Sequence, residues 1–412
     1  MEQADLKVRR GADESRSRKF EWVISLLLLA YPLLGTLVAF TSLPSLVASV
    51  PVRTLILFLS FYLLASSDRA VAATGAAKLI IVFFCAYSIR LLWDWSVADI
   101  PVAVEYGVKF LVFCVPTALA FLHCQKLDEP RLARNLLVVG SVVCILAMVA
   151  YDTNITGVRS TTEEAEGRLF LDTVNPITFG HVGVTTILAG VAVLRFSKGL
   201  LGWTAAGAAI TLGFIALQMA GSRGPLISLL ICLFAAAALA KSQRWLVIPL
   251  VVGAIFLFIN AADDTQNLLA ARLIATVSGG DAEERVLLAQ GAAAQFFDSP
   301  LLGSAIVEKT LGIFPHNPFL ESAMAIGVLG LLFFCVINVI AIAKIASALR
   351  SGEILVPLLA VQAITAAQVS GSLFESASMW MFLALFVGRV KTPKGRQTSN
   401  SLSLRPLAKA EI

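Results

Sequence analysis

Three side chains, Arg223, Arg285 and His316, stand in sequence contexts that suit the binding and reaction of an anionic substrate. Arg223 lies in the Gly-Ser-Arg-Gly-Pro turn over 221–225, between two apolar runs with almost no loop between them. Glycine and serine allow a tight turn whose backbone N–H groups point at a ligand, and the proline suits the first turn of a following helix. The positive end of that helix beside a guanidinium predicts an anion site. The alternative is an anchor that snorkels to lipid headgroups.

Arg285 follows three carboxylates, Asp281, Glu283 and Glu284, at the start of a predicted helix over 284–297. Asp281 can cap this helix, and the two glutamates favour its positive end. A guanidinium beside a helix start is a second candidate for binding an anion. The alternative is an ion pair between Arg285 and a neighbouring carboxylate.

His316 lies between Pro315 and Pro318, and prolines restrict the backbone that sets the direction of the imidazole. An imidazole with an ordinary pKa of about 6.5 can accept a proton at neutral pH. The alternative is a loop histidine at a membrane interface. The other two histidines, His123 and His181, fall at the end of a predicted helix and inside one, where packing or interhelical hydrogen bonding is the simpler explanation.

Membrane-spanning helices are expected to position these residues. Of the 412 residues, 58% are hydrophobic and 14% are charged, with a mean hydropathy of +0.84, whereas soluble domains average about 45–50% apolar and about 25% charged. About 20 apolar residues in a helix cross about 30 Å of hydrocarbon. The predicted fold class is therefore an all-α polytopic membrane protein with about 12 spans: Trp22–Thr41, Pro51–Ser66, Ala76–Leu92, Tyr106–His123, Asn135–Tyr151, Pro176–Leu194, Leu200–Met219, Gly224–Ala240, Trp245–Ala261, Pro318–Ile342, Ile354–Val369 and Leu373–Val387.

The basic residues predict the orientation of the chain. With the N-terminus in the cytoplasm, 23 of the 32 lysines and arginines fall in inner loops or termini, as the positive-inside rule requires. An even number of spans also keeps the basic C-terminal tail inside. The expected localisation is the bacterial inner membrane, with Arg223, Arg285 and His316 on the periplasmic side. The net charge of +5 then reflects topology and anionic headgroups, and no nucleic-acid partner is expected.

Two predicted outer loops differ from the short connections elsewhere. One covers 152–175 and the other, partly helical and by far the longest, covers 262–316 before the tenth span. Long ordered loops are uncommon unless they bind something. All six cysteines fall in or beside predicted spans, so we expect no disulfide.

Around the candidate residues the chain resembles the O-antigen ligase and O-antigen polymerase family. The turn at Arg223 is similar to the family's Ser-Arg-Gly signature. Arg285, its helix and Ser299–Gly303 are similar to the family's arginine and Pro-Leu-Leu-Gly stretch. The segments His316–Glu321 and Gly327–Leu332 resemble the family's His-Asn, Leu-Glu and Gly-Leu-Leu-Gly elements, and an Asn-Pro pair at 175–176 resembles the start of a preceding helix.

The resemblance covers residues 175 to about 334, less than half of the chain. Ser304-Ala305 stands where the family commonly has Gly-X-Gly, and Leu287-Leu288 stands where it often has an aromatic residue. These departures bear on substrate details. The expected organisation is a cytoplasmic basic tail over 1–20, membrane helices over 21–174, the ligase-like region over 175–345, C-terminal helices over 346–390 and a cytoplasmic tail over 391–412.

The resemblance implies a metal-independent, inverting glycosyltransferase with a GT-C-like membrane fold. It would move a glycan from an undecaprenyl-diphosphate carrier to an acceptor hydroxyl at the periplasmic face. Arg223 and Arg285 would stabilise the departing diphosphate in place of a metal, and His316 would accept the hydroxyl proton. No cofactor is expected, and the further candidates for substrate binding are Ser222, Asn317, Glu321, Arg159 and Arg168.

Three alternatives remain open. The carboxylates at Asp263, Asp264 and 281–284 could hold Mg²⁺, although no Asp-X-Asp opens an outer loop near the first span, where many GT-C enzymes have one. The chain could instead be a transporter or flippase of lipid-linked sugars, or a noncatalytic component of a polysaccharide-export complex. Within the enzyme class the acceptor is open, because lipid A-core, a carrier-linked repeat unit and a protein hydroxyl fit the same donor chemistry.

Overall fold

The computed structural model describes residues 2–41, 43–44, 46–67, 75–152, 171, 174–240 and 283–389. Within them the chain is all-α, apart from one isolated bridge between Leu171 and Val174. We number its continuous helical segments α1 (Glu14–Ala39, continuing a helix that begins at Glu2), α2 (Leu46–Ala65), α3 (Gly75–Ser96), α4 (Val102–Phe121), α5 (Glu129–Tyr151), α6 (Pro176–Phe196), α7 (Leu200–Ala220), α8 (Arg223–Leu239), α9 (Glu283–Asp298), α10 (Pro318–Ser351), α11 (Leu355–Ser370) and α12 (Ala377–Gly388).

Eight of these helices are long and apolar enough to cross a membrane, and α8, α11 and α12 are shorter apolar helices. The prediction of a polytopic, all-helical membrane protein is therefore confirmed. The helix predicted over 284–297 in the long loop is present as α9. The predicted ninth span, Trp245–Ala261, lies outside the described residues, so the count of about 12 spans stays a prediction.

The boundary predicted for the tenth span was wrong, because α10 continues nine residues beyond Ile342 to Ser351. Lys344, which we expected in an inner loop, lies inside this helix. Its ammonium donates hydrogen bonds to the carbonyl oxygens of Val387 (2.9 Å) and Arg389 (2.7 Å) at the end of α12. A cation at a helix C-terminus is favourable, and here the Lys344 ammonium of α10 lies at the C-terminus of α12. Lys344 therefore ends the apolar stretch of α10, but α10 itself continues to Ser351.

The short helices α11 and α12 occupy the centre of the bundle. Every residue of α12 except Ser378 is buried, and α12 packs against α3, α4, α10 and α11. Its 12 residues span only about 18 Å at about 1.5 Å per residue. Protein rather than lipid surrounds α12, so it need not match the thickness of the hydrocarbon layer.

Contacts between helix ends divide the molecule into two faces. At one face, Asn317 at the start of α10 meets Gln368 near the end of α11. At the other, the Glu129 carboxylate at the start of α5 accepts hydrogen bonds from the backbone N–H groups of Ile354 and Val356 at the start of α11. We name these the outer and the inner face, after the orientation that the charges predict.

Helix α10 is kinked at Gly327, where φ is 76° and ψ is −158°. This conformation is essentially restricted to glycine. The Val328 N–H donates to the Pro300 carbonyl at 2.7 Å, and the Ser304 N–H donates to the Met324 carbonyl at 2.8 Å. The loop after α9 therefore supplies hydrogen-bond partners that a straight helix would find within itself.

Two side chains of α3 hold this loop in place. Arg90 donates to the carbonyl oxygens of Ala325 (2.6 Å) and Leu302 (3.3 Å). Asp94, which is fully buried, accepts a hydrogen bond from the Ile306 N–H at 2.7 Å. Because Ala325 lies seven residues into α10, about 10 Å along its axis, the loop reaches well below the outer end of that helix.

Candidate functional site

The turn that carries Arg223 forms as its sequence predicts. Helix α7 ends at Gly221, whose φ of 55° is left-handed, and Ser222 is extended before α8 begins at Arg223. Ser222 is buried, and its side chain makes no capping hydrogen bond to α8. The first turn of α8 thus receives no cap from that hydroxyl.

Close packing fixes this turn against two neighbouring helices. A Cβ atom added to Gly180 of α6 would lie 2.6 Å from Cγ of Pro225, and one added to Gly224 would lie 3.3 Å from Cγ1 of Val369 in α11. Both glycines therefore allow backbones to approach closely. The Arg223 turn is seated between the outer ends of α6 and α11.

Arg285 lies in the first turn of α9, and its side chain is exposed. Its Nη1 donates to the carbonyl oxygen of Val369 at 3.2 Å. The Gln295 amide further along α9 donates to Ser304 Oγ (3.1 Å) and to the Val307 carbonyl (3.2 Å). Helix α9 is thus tied both to the loop that follows it and to the end of α11.

Glu308 anchors the other side of this loop. Its carboxylate accepts hydrogen bonds from the backbone N–H groups of Thr310 (3.0 Å) and Leu311 (2.7 Å). Burial raises the pKa of Glu308, but these hydrogen bonds lower it more, so the pKa lies below its ordinary value. The carboxylate stays charged at neutral pH and keeps the turn closed.

His316 adopts a left-handed backbone conformation with φ of 53°, which is uncommon for a residue other than glycine. Asn317 follows as the N-cap of α10, and its Oδ1 accepts hydrogen bonds from the N–H groups of Phe319 (3.0 Å) and Leu320 (3.1 Å). The Asn317 amide nitrogen donates to the Gln368 carbonyl at 3.0 Å. The histidine is therefore held at the start of a helix that is itself fastened to α11.

Aromatic rings support the His316 imidazole. The Phe314 ring lies 4.2 Å from it, centroid to centroid, and packs edge-on against Phe374 at 5.1 Å. Phe374 in turn stacks on Tyr106 at 3.7 Å. This apolar backing limits the directions that the imidazole can take.

The hydrogen bonds of the Glu321 carboxylate join it to the protein core. The fully buried carboxylate accepts hydrogen bonds from the Tyr87 hydroxyl at 2.5 Å and the Leu373 N–H at 2.7 Å. Leu373 precedes Phe374 in the aromatic support of His316. Glu321 therefore acts as a positioning residue for the loop after α11.

The three motif segments meet at one place, the Gln368-Val369 pair at the outer end of α11. The Val369 carbonyl accepts from Arg285, its side chain lies against Gly224, and the Gln368 carbonyl accepts from Asn317. Arg285 and Gly224, the neighbour of Arg223, thus both contact Val369, and Asn317, the neighbour of His316, contacts the adjacent Gln368. The arrangement brings two guanidinium-bearing segments and an imidazole-bearing segment to a common point.

The side chain of Gln368 adds an unusual feature to this meeting point. Its amide nitrogen and oxygen are both buried, and neither makes a hydrogen bond to any described residue. A buried polar group without a partner costs roughly 1–3 kcal/mol. Such a group in the middle of a candidate site is suited to a ligand that both donates and accepts hydrogen bonds, as a sugar hydroxyl does.

Replacing Gln368 with leucine is therefore expected to leave the unfolding temperature unchanged or to raise it. The matched control is Gln362→Leu, at a position earlier in the same helix, α11. The Gln362 amide donates to the His181 carbonyl (2.9 Å) and to Thr185 Oγ1 (3.1 Å). That control should lose about 1–2 kcal/mol of stability. Thermal unfolding of the detergent-purified variants tests the contrast, and equal destabilisation of both would show that the Gln368 amide has a structural partner.

Sequence reasoning missed three participants, Arg90, Tyr87 and Gln368. Arg90 carried a usable signal, because an ionisable residue inside a predicted span marks a structural or functional partner. Tyr87 and Gln368 stand in apolar helices without any motif, and their importance comes only from contacts with residues far away in the chain. Two further predicted candidates, Arg159 and Arg168, lie outside the described residues, as do Asp263, Asp264 and Asp281.

No group of three histidine, cysteine, aspartate or glutamate side chains that could hold a metal ion occurs in the part of the chain that the structure describes. Comparison with protein-family models finds no match to this chain, and a search of curated proteins also finds no match. What the chain's helix lengths and hydropathy establish is a multi-pass, all-helical membrane protein.

Proposed function

We propose that the chain transfers a glycan from an undecaprenyl-diphosphate carrier to an acceptor hydroxyl at the outer face, as an O-antigen ligase or polymerase does. The observation that carries this proposal is the meeting of the Arg223, Arg285 and His316 segments at Gln368-Val369. The similarity of the same three segments to one family's motifs supports it.

The chemistry of the reaction fits the types of these residues. Negative charge builds on the diphosphate as the sugar C1–O bond breaks, and two guanidinium groups can stabilise it. The acceptor hydroxyl is a weak nucleophile until its proton is removed. His316 would take that proton as the hydroxyl oxygen bonds to C1 from the side opposite the diphosphate, which inverts the configuration.

The Gln368 amide would add recognition of the sugar. Its unpartnered donor and acceptor atoms would bind a glycan hydroxyl, so Gln368→Leu should slow transfer although it does not weaken folding. Arg90 and Glu321 would act indirectly, by holding the loop and the aromatic support of His316.

The proposal is tested with the purified full-length chain in proteoliposomes that contain a lipid-linked glycan donor, with and without lipid A-core. Product that requires lipid A-core identifies a ligase, and product without it identifies a polymerase. Movement of the donor between leaflets without any glycosidic product would instead identify a flippase and reject the enzyme proposal.

Arg223→Lys and Arg285→Lys are expected to reduce the transfer rate by at least about tenfold each. Lysine keeps the charge but loses the planar pair of N–H donors that binds a phosphate oxygen pair. The initial rate of glycan transfer in the same assay measures the effect. Arg350→Lys is the matched control, since Arg350 is exposed at the inner end of α10. An unchanged rate for both outer-face variants would remove the arginines from the mechanism.

A further inference from the structure

A cavity lies at the inner face, at the opposite ends of the helices from the candidate site. Its volume is about 990 Å³, the size of a small-molecule pocket. It is enclosed by the start of α1, the connection from α4 to α5, and the inner ends of α6 and α10. It is therefore bounded by segments far apart in the sequence.

Four carboxylates line this cavity: Glu14 is exposed, and the other three are already engaged. Asp128 pairs with Arg131 at 3.6 Å, and Glu353 pairs with Arg389 at 2.7 Å. The Glu129 oxygens accept hydrogen bonds from two backbone N–H groups at the start of α11. These three side chains therefore have little capacity to neutralise a further cation.

Arg16 is a cation of this lining for which the carboxylates supply no hydrogen bond. It lines the cavity, and its Nε and Nη2 atoms are buried with no hydrogen-bond partner among the described residues. Glu21, a buried carboxylate on the same helix, is bonded to Arg131. Arg16 is partly exposed, but buried guanidinium nitrogens without a partner are costly, so the cavity is suited to an anion.

The remainder of the lining indicates which kind of anion fits. Lys126 is exposed at the rim and supplies a second positive charge, while Phe20 and Phe196 provide apolar walls. A planar guanidinium binds phosphate oxygens in pairs. The cavity also lies where the inner ends of the helices meet the headgroup layer, in which basic pockets bind anionic lipids.

We propose that this inner-face cavity binds a phosphate group, with Arg16 as its principal partner and Lys126 at the rim. The phosphate can come from the headgroup of an anionic phospholipid or from a soluble phosphate compound. Either source would neutralise Arg16 and join the N-terminal helix to the ends of α5, α6 and α10. The proposal does not depend on the reaction at the outer face.

The test uses the purified full-length chain in a neutral detergent. One arm is titrated with phosphatidylglycerol and the other with inorganic pyrophosphate, and the shift in unfolding temperature gives the apparent affinity. Arg16→Gln is expected to weaken binding about five- to tenfold. Arg18→Gln is the control, because Arg18 is exposed on the same helix and does not line the cavity.

An effect of Arg16 confined to the first arm assigns the site to a lipid headgroup, and an effect in the second assigns it to a soluble phosphate. Equal affinities of the Arg16 and Arg18 variants in both arms would overturn the proposal. Should Arg16→Gln not fold, Arg16→Lys replaces it, since lysine keeps the charge but not the paired donors. The same direction of change is expected from that variant.

Discussion

His316→Ala is expected to reduce glycan transfer by at least about a hundredfold, because a positioned general base contributes about 10²–10⁴ in rate. The variant should fold normally, since His316 is only partly buried and its side chain is not part of the core. The initial rate of product formation per amount of folded protein measures the effect.

A second substitution at the same position separates proton acceptance from backbone geometry. Asparagine tolerates the left-handed conformation that His316 adopts, but its amide cannot accept the hydroxyl proton. His316→Asn should therefore be as inactive as His316→Ala. Activity retained by the asparagine variant would mean that position 316 contributes its backbone shape, and the proposed base would have to be sought elsewhere.

Gly327→Ala is expected to destabilise the protein by more than about 3 kcal/mol. A Cβ atom there would lie 2.5 Å from the Leu301 carbonyl carbon, and the φ of 76° is unfavourable for any L side chain. Relief would require the loop to leave α10, which would break the hydrogen bond from Val328 to Pro300. Loss of transfer should accompany the loss of stability, because that loop leads into His316.

The control for this prediction is Gly207→Ala on α7. Gly207 is exposed, and a Cβ atom added there would meet no atom within 4 Å. Alanine is also the better helix former, so this variant should be as stable as the parent or slightly more stable. Thermal unfolding of the two variants side by side measures the difference. A Gly327 variant as stable as the Gly207 variant would contradict the kinked geometry of α10.

The helices were predictable because the length of each apolar run and the positions of the flanking charges lie within the segment that forms the helix. The Arg223 turn was equally predictable, since Gly221 and Pro225 act within a few residues of each other. The kink at Gly327 was not, because the conformation of that glycine depends on a loop more than 20 residues earlier. The residues around Gly327 alone therefore do not distinguish a straight α10 from a kinked one.

The same distinction applies to the candidate site. Two segments that resemble family motifs, Ser299–Gly303 and Gly327–Leu332, contact each other through their backbones. In the described structure these contacts shape the loop. Gln368, in contrast, belongs to no motif, and attention falls on it only through its bond from Asn317, the bond from Arg285 to the adjacent Val369, and its own unpartnered amide.

The docking of Pro300 on Val328 also sets an order of assembly. Pro300 is synthesised first, so the loop exists before the helix segment that will hold it. Synthesis proceeds from the N-terminus, so the Pro300 carbonyl stays without its Val328 partner until α10 has been made. In the orientation that the charges predict, this segment must be exported and α10 inserted before the outer face takes its final shape. A nascent chain halted between these two steps would then present the loop to periplasmic proteases and chaperones.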